Sequence, residues 1–469
     1  MRTSFLIFLS VVAGAVAPAL PRGLEKLSER IADPKLRRAT IAVVVVDLDT
    51  GKTLFDRNGE LPLVPASNMK LVTTAAALTE LGADFNFTTR LQHTGDDIIV
   101  VADGDPAFGD PVIAAGNNLT ITSVFEQWSQ AILKRVGNSI QGDLIIDASI
   151  FDAQWTHENW PMKQIHRWYC APVGGLNLND NCIDIKVRGQ QRTGQIPLLQ
   201  LSPNTSYMTI DNSAKSSTKH APWISRAPGS RTLLIRGPVR KKTIHQQSIT
   251  VDNPPRFAGT VFAEVLAEAG VVMRGSVKIR LDRVARNNGI ALAIHRSHIA
   301  EVINRCNRRS QNLFAECLLK RLGAHHSGVG SWSAGRTAAG AFLQRVGAKG
   351  SYFIDDGGGL SPNNRLSCQQ LTAVLAWMAD SPDATIFRES LAQPGHDHTL
   401  RNRMIELKGR LFAKTGYISG SSALSGYVRT RQGKWLAFSI LVNKFSGQLS
   451  RVKRLQNAIV TDLAEYYRR

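Results

Sequence analysis

The chain has 469 residues, a length that typical domain sizes divide into about three domains. With 43% apolar and 20% charged residues it has ordinary globular composition, which excludes a disordered chain, a collagen-like fibre and a multi-span membrane protein. Its 57 Lys and Arg against 37 Asp and Glu leave a net charge of +20, which draws the chain to polyanions: nucleic acid, anionic lipid or an acidic wall polymer.

Met1 and Arg2 precede an apolar run, residues 5–17, broken only by Ser10. The run is too short to span a bilayer and matches the core of a secretory signal, with Ala13-Gly14-Ala15 as a cleavage site and residues 1–19 as the removed segment. No Cys follows it, so a lipoprotein anchor is not indicated. Export to a periplasm or cell envelope turns the basic surface toward an anionic envelope and away from nucleic acid.

Residues 40–47, TIAVVVVD, read as a buried strand. A turn at Asp49-Thr50-Gly51-Lys52 and a short strand around Leu54 complete a hairpin. Pro65-Ala66-Ser67 leads into NMKLVTTAAALTEL, a buried helix that begins beside Ser67 and stops at Gly82. Residues 88–289 differ in texture, with short β-rich runs (DDIIVV, GDLIIDASIF, CIDIKVRG, RTLLIRG), many turn residues and a helix near 124–136. Helices return at 300–322, 334–346 and 368–379. Residues 411–413, 423–429 and 435–442 then read as successive antiparallel strands, the last two joined by the turn Arg431-Gln432-Gly433. A final amphipathic helix has Val452, Leu455, Ile459 and Leu463 on its buried face. This order predicts an α/β (α+β) domain, an antiparallel sheet flanked by helices, formed by residues 20–87 and 290–469. A β-rich module of two lobes, residues 88–289, splits it.

Five cysteines cannot all pair internally. Cys306 and Cys317 fall on one predicted helix, about 16 Å apart by helical rise, beyond the reach of a disulfide. Cys170 and Cys182 can pair across a loop.

Three S-x-x-K tetrads occur, at Ser67–Lys70, Ser216–Lys219 and Ser450–Lys453. Ser216 lies in a polar stretch that reads as loop, and Ser450 reads as the N-cap of the last helix. Only Ser67 opens an apolar helix. There, residues i and i+3 share a face, so the Lys70 amine stands beside the Ser67 hydroxyl. A serine needs an adjacent base to become a nucleophile, and a lysine serves once burial favours its neutral amine. S-x-N occurs as Ser202-Pro203-Asn204, Ser310-Gln311-Asn312 and Ser361-Pro362-Asn363. The two with a central proline read as turns, whereas Ser310-Gln311-Asn312 opens the helical stretch LFAECLLKRL. Lys414-Thr415-Gly416 is the single K-T-G and lies on a strand. It offers a cation and a hydroxyl for a carboxylate, and a glycine that admits a close backbone approach.

With these three motifs in this order, the chain resembles the penicillin-recognising serine enzymes of the transpeptidase/β-lactamase-like fold. The long interval between Ser67 and Ser310 narrows the likeness to the class C low-molecular-mass penicillin-binding proteins, the D-alanyl-D-alanine carboxypeptidase/endopeptidase family. It extends from about residue 24 to 465 through PASNMKLVTTAAAL, Gly104-Asp105-Pro106, Trp160-Pro161, APVGGLNLNDN, SQNLFAECLLKRLG, DGGGLSPNNRLS and AKTGYISGSSALSGYV.

The resemblance implies Ser67 as acylated nucleophile, Lys70 as its base, Ser310 as proton relay and Asn312 as an orienting group for the substrate amide. It implies Lys414 and Thr415 as anchors of the terminal carboxylate, with Gly416 in the substrate-binding strand and the amides of Ser67 and Tyr417 as the oxyanion hole. The implied partners are peptidoglycan stem peptides and β-lactam antibiotics, with no cofactor and no metal. Three positions depart from the pattern. Gln311 stands where Asp is common, and Tyr417 where Ser or Thr follows K-T-G. Gln164 stands where relatives carry an acidic residue that meets the amine of the stem-peptide side chain.

Among other candidates, His396-Asp397-His398 lies in a Gly/Pro loop without a third ligand nearby and reads as surface. The Gly357-Gly358-Gly359 run lacks the lysine of a phosphate loop. Two alternatives to the carboxypeptidase remain: a β-lactamase or esterase of the same fold, and a non-catalytic basic scaffold that binds the wall. No E-x-x-x-N-type glutamate element follows Ser67 to speed deacylation, and all three motifs are intact.

Overall fold

The run IAVVVV, residues 41–46, is apolar throughout because the strand it belongs to, Thr40–Asp47, is covered on both faces. Successive side chains of a strand point to opposite sides. Ala42 and Val44 enter one core, and Ile41, Val43 and Val45 enter another. The computed structural model describes residues 24–282, 289–396, 399–447 and 449–466. In it this strand is the fourth of a five-stranded antiparallel sheet, in the order Leu411–Ile418, Ser421–Arg429, Trp435–Asn443, Thr40–Asp47, Thr53–Arg57. The helix Leu449–Glu465 covers one face, burying the expected stripe of Val452, Leu455, Ile459 and Leu463. The helices Met69–Leu81 and Cys368–Ala379 lie on the other.

The chain leaves this sheet through the strand Asn86–Thr94 and returns through Ile290–His298. The two pair antiparallel, with Asn86 opposite His298. Exit and entry are thus neighbours, which lets a large insertion leave the first sheet intact. With Asp97–Val101, Leu144–Asp147 and Val277–Arg280 they build a second, mixed five-stranded sheet. Hydrogen bonding assigns Ile290–His298 to the second sheet. We propose residues 24–85 with 299–466 as one unit and 86–298 as the other. Three-stranded sheets of Ile244–Thr250, Cys182–Arg188 and Leu198–Ser202, and of Trp223–Ser225, Thr232–Arg236 and Thr209–Asn212, make the outer part of the insertion. One core joins them to the mixed sheet: Ile183, Ile185 and Ile235 cluster with Leu91, Ile146 and Phe257.

Several local expectations change. The helix expected at 300–322 is two, Ile299–Arg309 and Asn312–Ser327, broken where Ser310 takes a left-handed φ of 58°. Cys306 and Cys317 thus lie on different helices, and all five cysteines are buried and free, Cys170 and Cys182 included. Ser216 is on a short strand, Lys215–Ser217, where its buried hydroxyl accepts from the Gln190 amide at 2.9 Å. Ser450 is in the first turn of Leu449–Glu465. No helix among the described residues is long and apolar enough to cross a membrane. Residues 1–19, Asp397 and His398 lie outside the described residues.

The insertion is anchored beside Ser310. Buried Arg305 donates to Asp110 at 2.9 Å and to Asp180 at 3.1 Å, and the Gln311 amide also donates to Asp180, at 3.0 Å. Burial pushes the Asp180 carboxyl up and Asp110 adds to the shift, while Arg305 opposes both. An amide at 311 therefore fits where an aspartate would bring a third carboxylate to a single guanidinium. Removing one partner of a buried pair costs about 3–5 kcal/mol, so Arg305→Met is expected to lower the unfolding free energy by about that amount in urea titration. Gln311→Asp is expected to lower it by about 1–3 kcal/mol, the penalty of an unsatisfied buried group. Midpoints equal to that of the parent would contradict this pairing.

Candidate active site

Ser67 sits in a single 3-10 turn, Ala66–Asn68, that runs into the helix Met69–Leu81. Ala66 has a left-handed φ of 47°, a conformation that costs about 1–3 kcal/mol for a residue with a Cβ. Asn68 holds the turn in place. Its amide donates to the Lys414 carbonyl at 2.8 Å, and its oxygen accepts from Ser425 at 2.7 Å. The Ser67 turn is thereby tied to the K-T-G strand. Gly416 serves the same junction: a Cβ there would lie 2.9 Å from the Pro65 carbonyl and 3.0 Å from the Ser67 nitrogen. The close approach it permits is to the turn of Ser67. A Cβ at Gly359 would come within 1.9 Å of the Ala66 carbonyl, so this position too admits glycine alone.

Lys70 has no exposed surface. Its Nζ lies 3.3 Å from Ser67 Oγ, 2.6 Å from Asn312 Oδ1 and 2.6 Å from the Gly358 carbonyl. A neutral amine has two N–H groups for the two short contacts and a lone pair for the Ser67 hydroxyl proton. Burial lowers the Lys70 pKa, with the Glu316 and Asp356 carboxylates among the groups that oppose the shift. Glu316 is fully buried and accepts from the amides of Gly357 (2.9 Å) and Gly358 (2.6 Å) and from the Trp332 indole (2.8 Å). Burial pushes Glu316 up to about 8, as does Asp356, against these donors. Asp356 accepts from the amides of Gly359 at 2.7 Å and Ser361 at 2.6 Å, and from the Trp160 indole at 2.9 Å. Two buried carboxylates thus shape the loop that presents the Gly358 carbonyl to Lys70.

Ser310 Oγ accepts from Lys414 Nζ at 2.9 Å, and the same amine donates to the Thr415 carbonyl at 2.9 Å. Lys414 is fully buried, and burial together with the Lys70 charge holds its pKa well below the ordinary lysine value. Asn312 Nδ2 donates to the Tyr169 carbonyl at 2.8 Å, so a main-chain group of the insertion orients this amide.

A cavity of 680 Å³ brings Ser67, Ser310, Asn312 and Tyr417 together with Gln164, and none of its lining residues is acidic. Lys70, Lys414, Thr415 and Gly416 are not among its lining residues. Gln164 is exposed on the rim, where its oxygen accepts from the Tyr169 hydroxyl at 2.6 Å. Sequence reasoning missed Glu316, Gly358, Trp168 and Tyr169. Two signals pointed to the first pair. A carboxylate one helical turn after Asn312 shares its face, and a glycine run marks a close backbone approach.

Glu316 is expected to act on Lys70 through charge and through Gly358. Removing a negative charge near an amine disfavours its protonated form, so above about pH 8, where Glu316 is ionised, Glu316→Gln should shift the rising limb of the acylation rate to lower pH. It should also lower the plateau, because an amide cannot accept from all three donors. A stopped-flow pH profile with a β-lactam checks this, and a limb that stays in place would contradict it.

The description "D-Ala-D-Ala carboxypeptidase 3 (S13) family" matches residues 24–466. The chain is 30% identical to the D-alanyl-D-alanine carboxypeptidase of Actinomadura sp. (strain R39), over 97% of this chain and 87% of that protein. It is 24% identical to D-alanyl-D-alanine carboxypeptidase DacB of Haemophilus influenzae, over 89% and 88% respectively. The crystal structure of penicillin binding protein 4 (dacB) from Haemophilus influenzae superposes with a TM-score of 0.79, covering 94% of this chain and 99% of that one at 20% identity. A second crystal structure of it, complexed with a β-lactam, gives a TM-score of 0.74. At that identity the structural likeness speaks for the fold, which is that of the penicillin-recognising enzymes, while the sequence match extends over nearly the whole chain. The chain belongs to the D-Ala-D-Ala carboxypeptidase 3 (S13) family.

Proposed function

We propose that the chain is a serine D-Ala-D-Ala carboxypeptidase that trims peptidoglycan stem peptides through an acyl-enzyme on Ser67 and is acylated by β-lactams. The observation that carries this reading is the Lys70 amine, buried and held between Ser67 Oγ, Asn312 Oδ1 and the Gly358 carbonyl. Lys70 takes the Ser67 proton as Oγ attacks the carbonyl of the penultimate D-Ala. The amides of Ser67 and Tyr417 receive the oxyanion. Ser310 passes a proton to the departing amine of the terminal D-Ala. Water then attacks the ester, with Lys70 again as base, and frees Ser67. Lys414, which donates to Ser310 Oγ and to the Thr415 carbonyl, and the Thr415 hydroxyl anchor the terminal carboxylate. Attack on a cross-linking D-Ala bond needs the same groups and is endopeptidase activity. A cavity without an acidic residue offers no carboxylate base for rapid hydrolysis of a β-lactam adduct, whose amine stays tethered in the site. This favours a carboxypeptidase over a β-lactamase. The apolar run of residues 5–17 supports export to the envelope, where the substrate is.

Incubation with wall fragments, followed by mass analysis, should release D-Ala, and Ser67→Ala should abolish the release. Persistence in that variant would contradict the assignment of the nucleophile. Lys414→Ala should slow cleavage of free-acid peptides about tenfold or more, the worth of a lost charge-assisted hydrogen bond, and affect their methyl esters much less. Equal losses on both would contradict the carboxylate role.

Gln164 sets a second expectation. Its uncharged amide cannot pair with a side-chain ammonium, so Gln164→Asp should improve cleavage of peptides with a free side-chain amine over amine-blocked ones. A charge-assisted hydrogen bond contributes about 1.5–3 kcal/mol, a gain of about tenfold or more, and salt should erode it at this exposed rim. A variant that treats both peptides alike would show that residue 164 does not face the side chain.

A further inference from the structure

Charge is unevenly distributed along this chain. Residues 186–251 contain eleven Lys and Arg against one acidic residue, Asp211, a surplus of ten that is half of the net +20. Asp211 is already paired with Arg236. Lys186, Arg188, Arg192, Lys215, Arg240 and Lys242 are exposed, and none has a carboxylate partner among the described residues.

Strand register gathers these cations with exposed apolar side chains. On Cys182–Arg188, Lys186 and Arg188 alternate with the buried Ile185 and Val187. Arg188 stands between Ile244 and Leu198 of the flanking strands, and Lys186 between Gln246 and Gln200. Ile244 is 59% exposed, Leu198 56% and nearby Ile196 52%. At the end of this row Gly189 bridges to Lys241, and its carbonyl accepts from the Lys242 amide. The strands Lys215–Ser217 and Pro238–Arg240 continue from there, with Ser216 and Val239 buried and Lys215 and Arg240 exposed.

A dissolved polyanion would use the charges and leave the apolar row in water. A bilayer uses both: apolar side chains enter the headgroup boundary, while Lys and Arg lay their stems along them and reach the phosphates. We propose that this sheet face docks the protein on a bilayer of anionic phospholipid. Ile196, Leu198 and Ile244 enter the interface, and Lys186, Arg188 and Lys242 meet the headgroups. The same strand, Ile244–Thr250, continues to the rim of the cleft. Ile249 bridges to Arg167 there, and Thr250 donates to the Ile165 carbonyl at 2.7 Å. Docking would therefore fix the height of the cleft above the membrane.

The test is sedimentation of the full chain, and of the chain without residues 1–19, with phosphatidylcholine vesicles that contain or lack phosphatidylglycerol. Both proteins should partition to the anionic vesicles about tenfold or more over neutral ones, and less as salt rises through about 0.1 M. The double variant Arg188→Glu/Lys242→Glu should lose about tenfold or more of that partition. Leu198→Ser/Ile244→Ser should lose a comparable share, with circular dichroism and melting temperature unchanged in both. Partition that is insensitive to both double variants, or that vanishes when residues 1–19 are removed, would overturn the proposal. So would retention on polyphosphate without binding to either vesicle.

Discussion

A lysine side chain sealed from water is the constraint on which the rest of this structure depends. Lys70 is fully buried, and an ammonium in such a place is stable only if its three protons are met. Two acceptors, Asn312 Oδ1 and the Gly358 carbonyl, lie at 2.6 Å, and the remaining direction points at Ser67. Burial disfavours the charge, while Glu316 and Asp356, one shell further out, favour it. The site is thus a balance between a dry environment and two buried carboxylates. The carboxylates are held by N–H donors of the loop they shape. The second amine, Lys414, has no carboxylate in contact among the described residues and feels Lys70 as a like charge, which pushes its pKa further down.

This balance joins parts of the chain that are distant in sequence. Asn68 and Gly416 lock the Ser67 turn to the K-T-G strand, and Gly359 seats the glycine loop on Ala66. The insertion is part of the same assembly. Tyr169 fixes the Asn312 amide through its carbonyl, the Trp160 indole binds Asp356, and Arg305 with Gln311 ties Asp110 and Asp180 to the helix break at Ser310. The insertion thus holds two of the groups that position Ser67 and Lys70: Asn312, through the Tyr169 carbonyl, and Asp356, through the Trp160 indole.

Much of this was legible in the sequence because it rests on periodicity. The doubly buried strand 40–47, the helix after Ser67 and the stripe on the last helix follow from side-chain alternation and from the 3.6-residue repeat. Motif order drew Ser67, Ser310 and Lys414 into one site before any geometry was available. What stayed hidden depends on tertiary partners. The sequence pattern groups residues 290–298 with the helices that follow them, and only pairing with Asn86–Thr94 joins them to the second sheet. The break at Ser310 needs a left-handed residue that is not glycine, which local propensity does not signal. Glu316 looks like one more charge on a helix until its three donors are seen, and the need for glycine at 416 comes from Ser67, 349 residues away in sequence.

The central claim is that Ser67, beside the buried Lys70, is the group that becomes acylated. It is tested most directly by trapping the protein with a β-lactam, digesting it and locating the added mass by fragmentation. The account predicts a single ester on Ser67 in the peptide around PASNMK. An adduct on Ser310 or on any other residue, or an unmodified protein at saturating β-lactam, would contradict it.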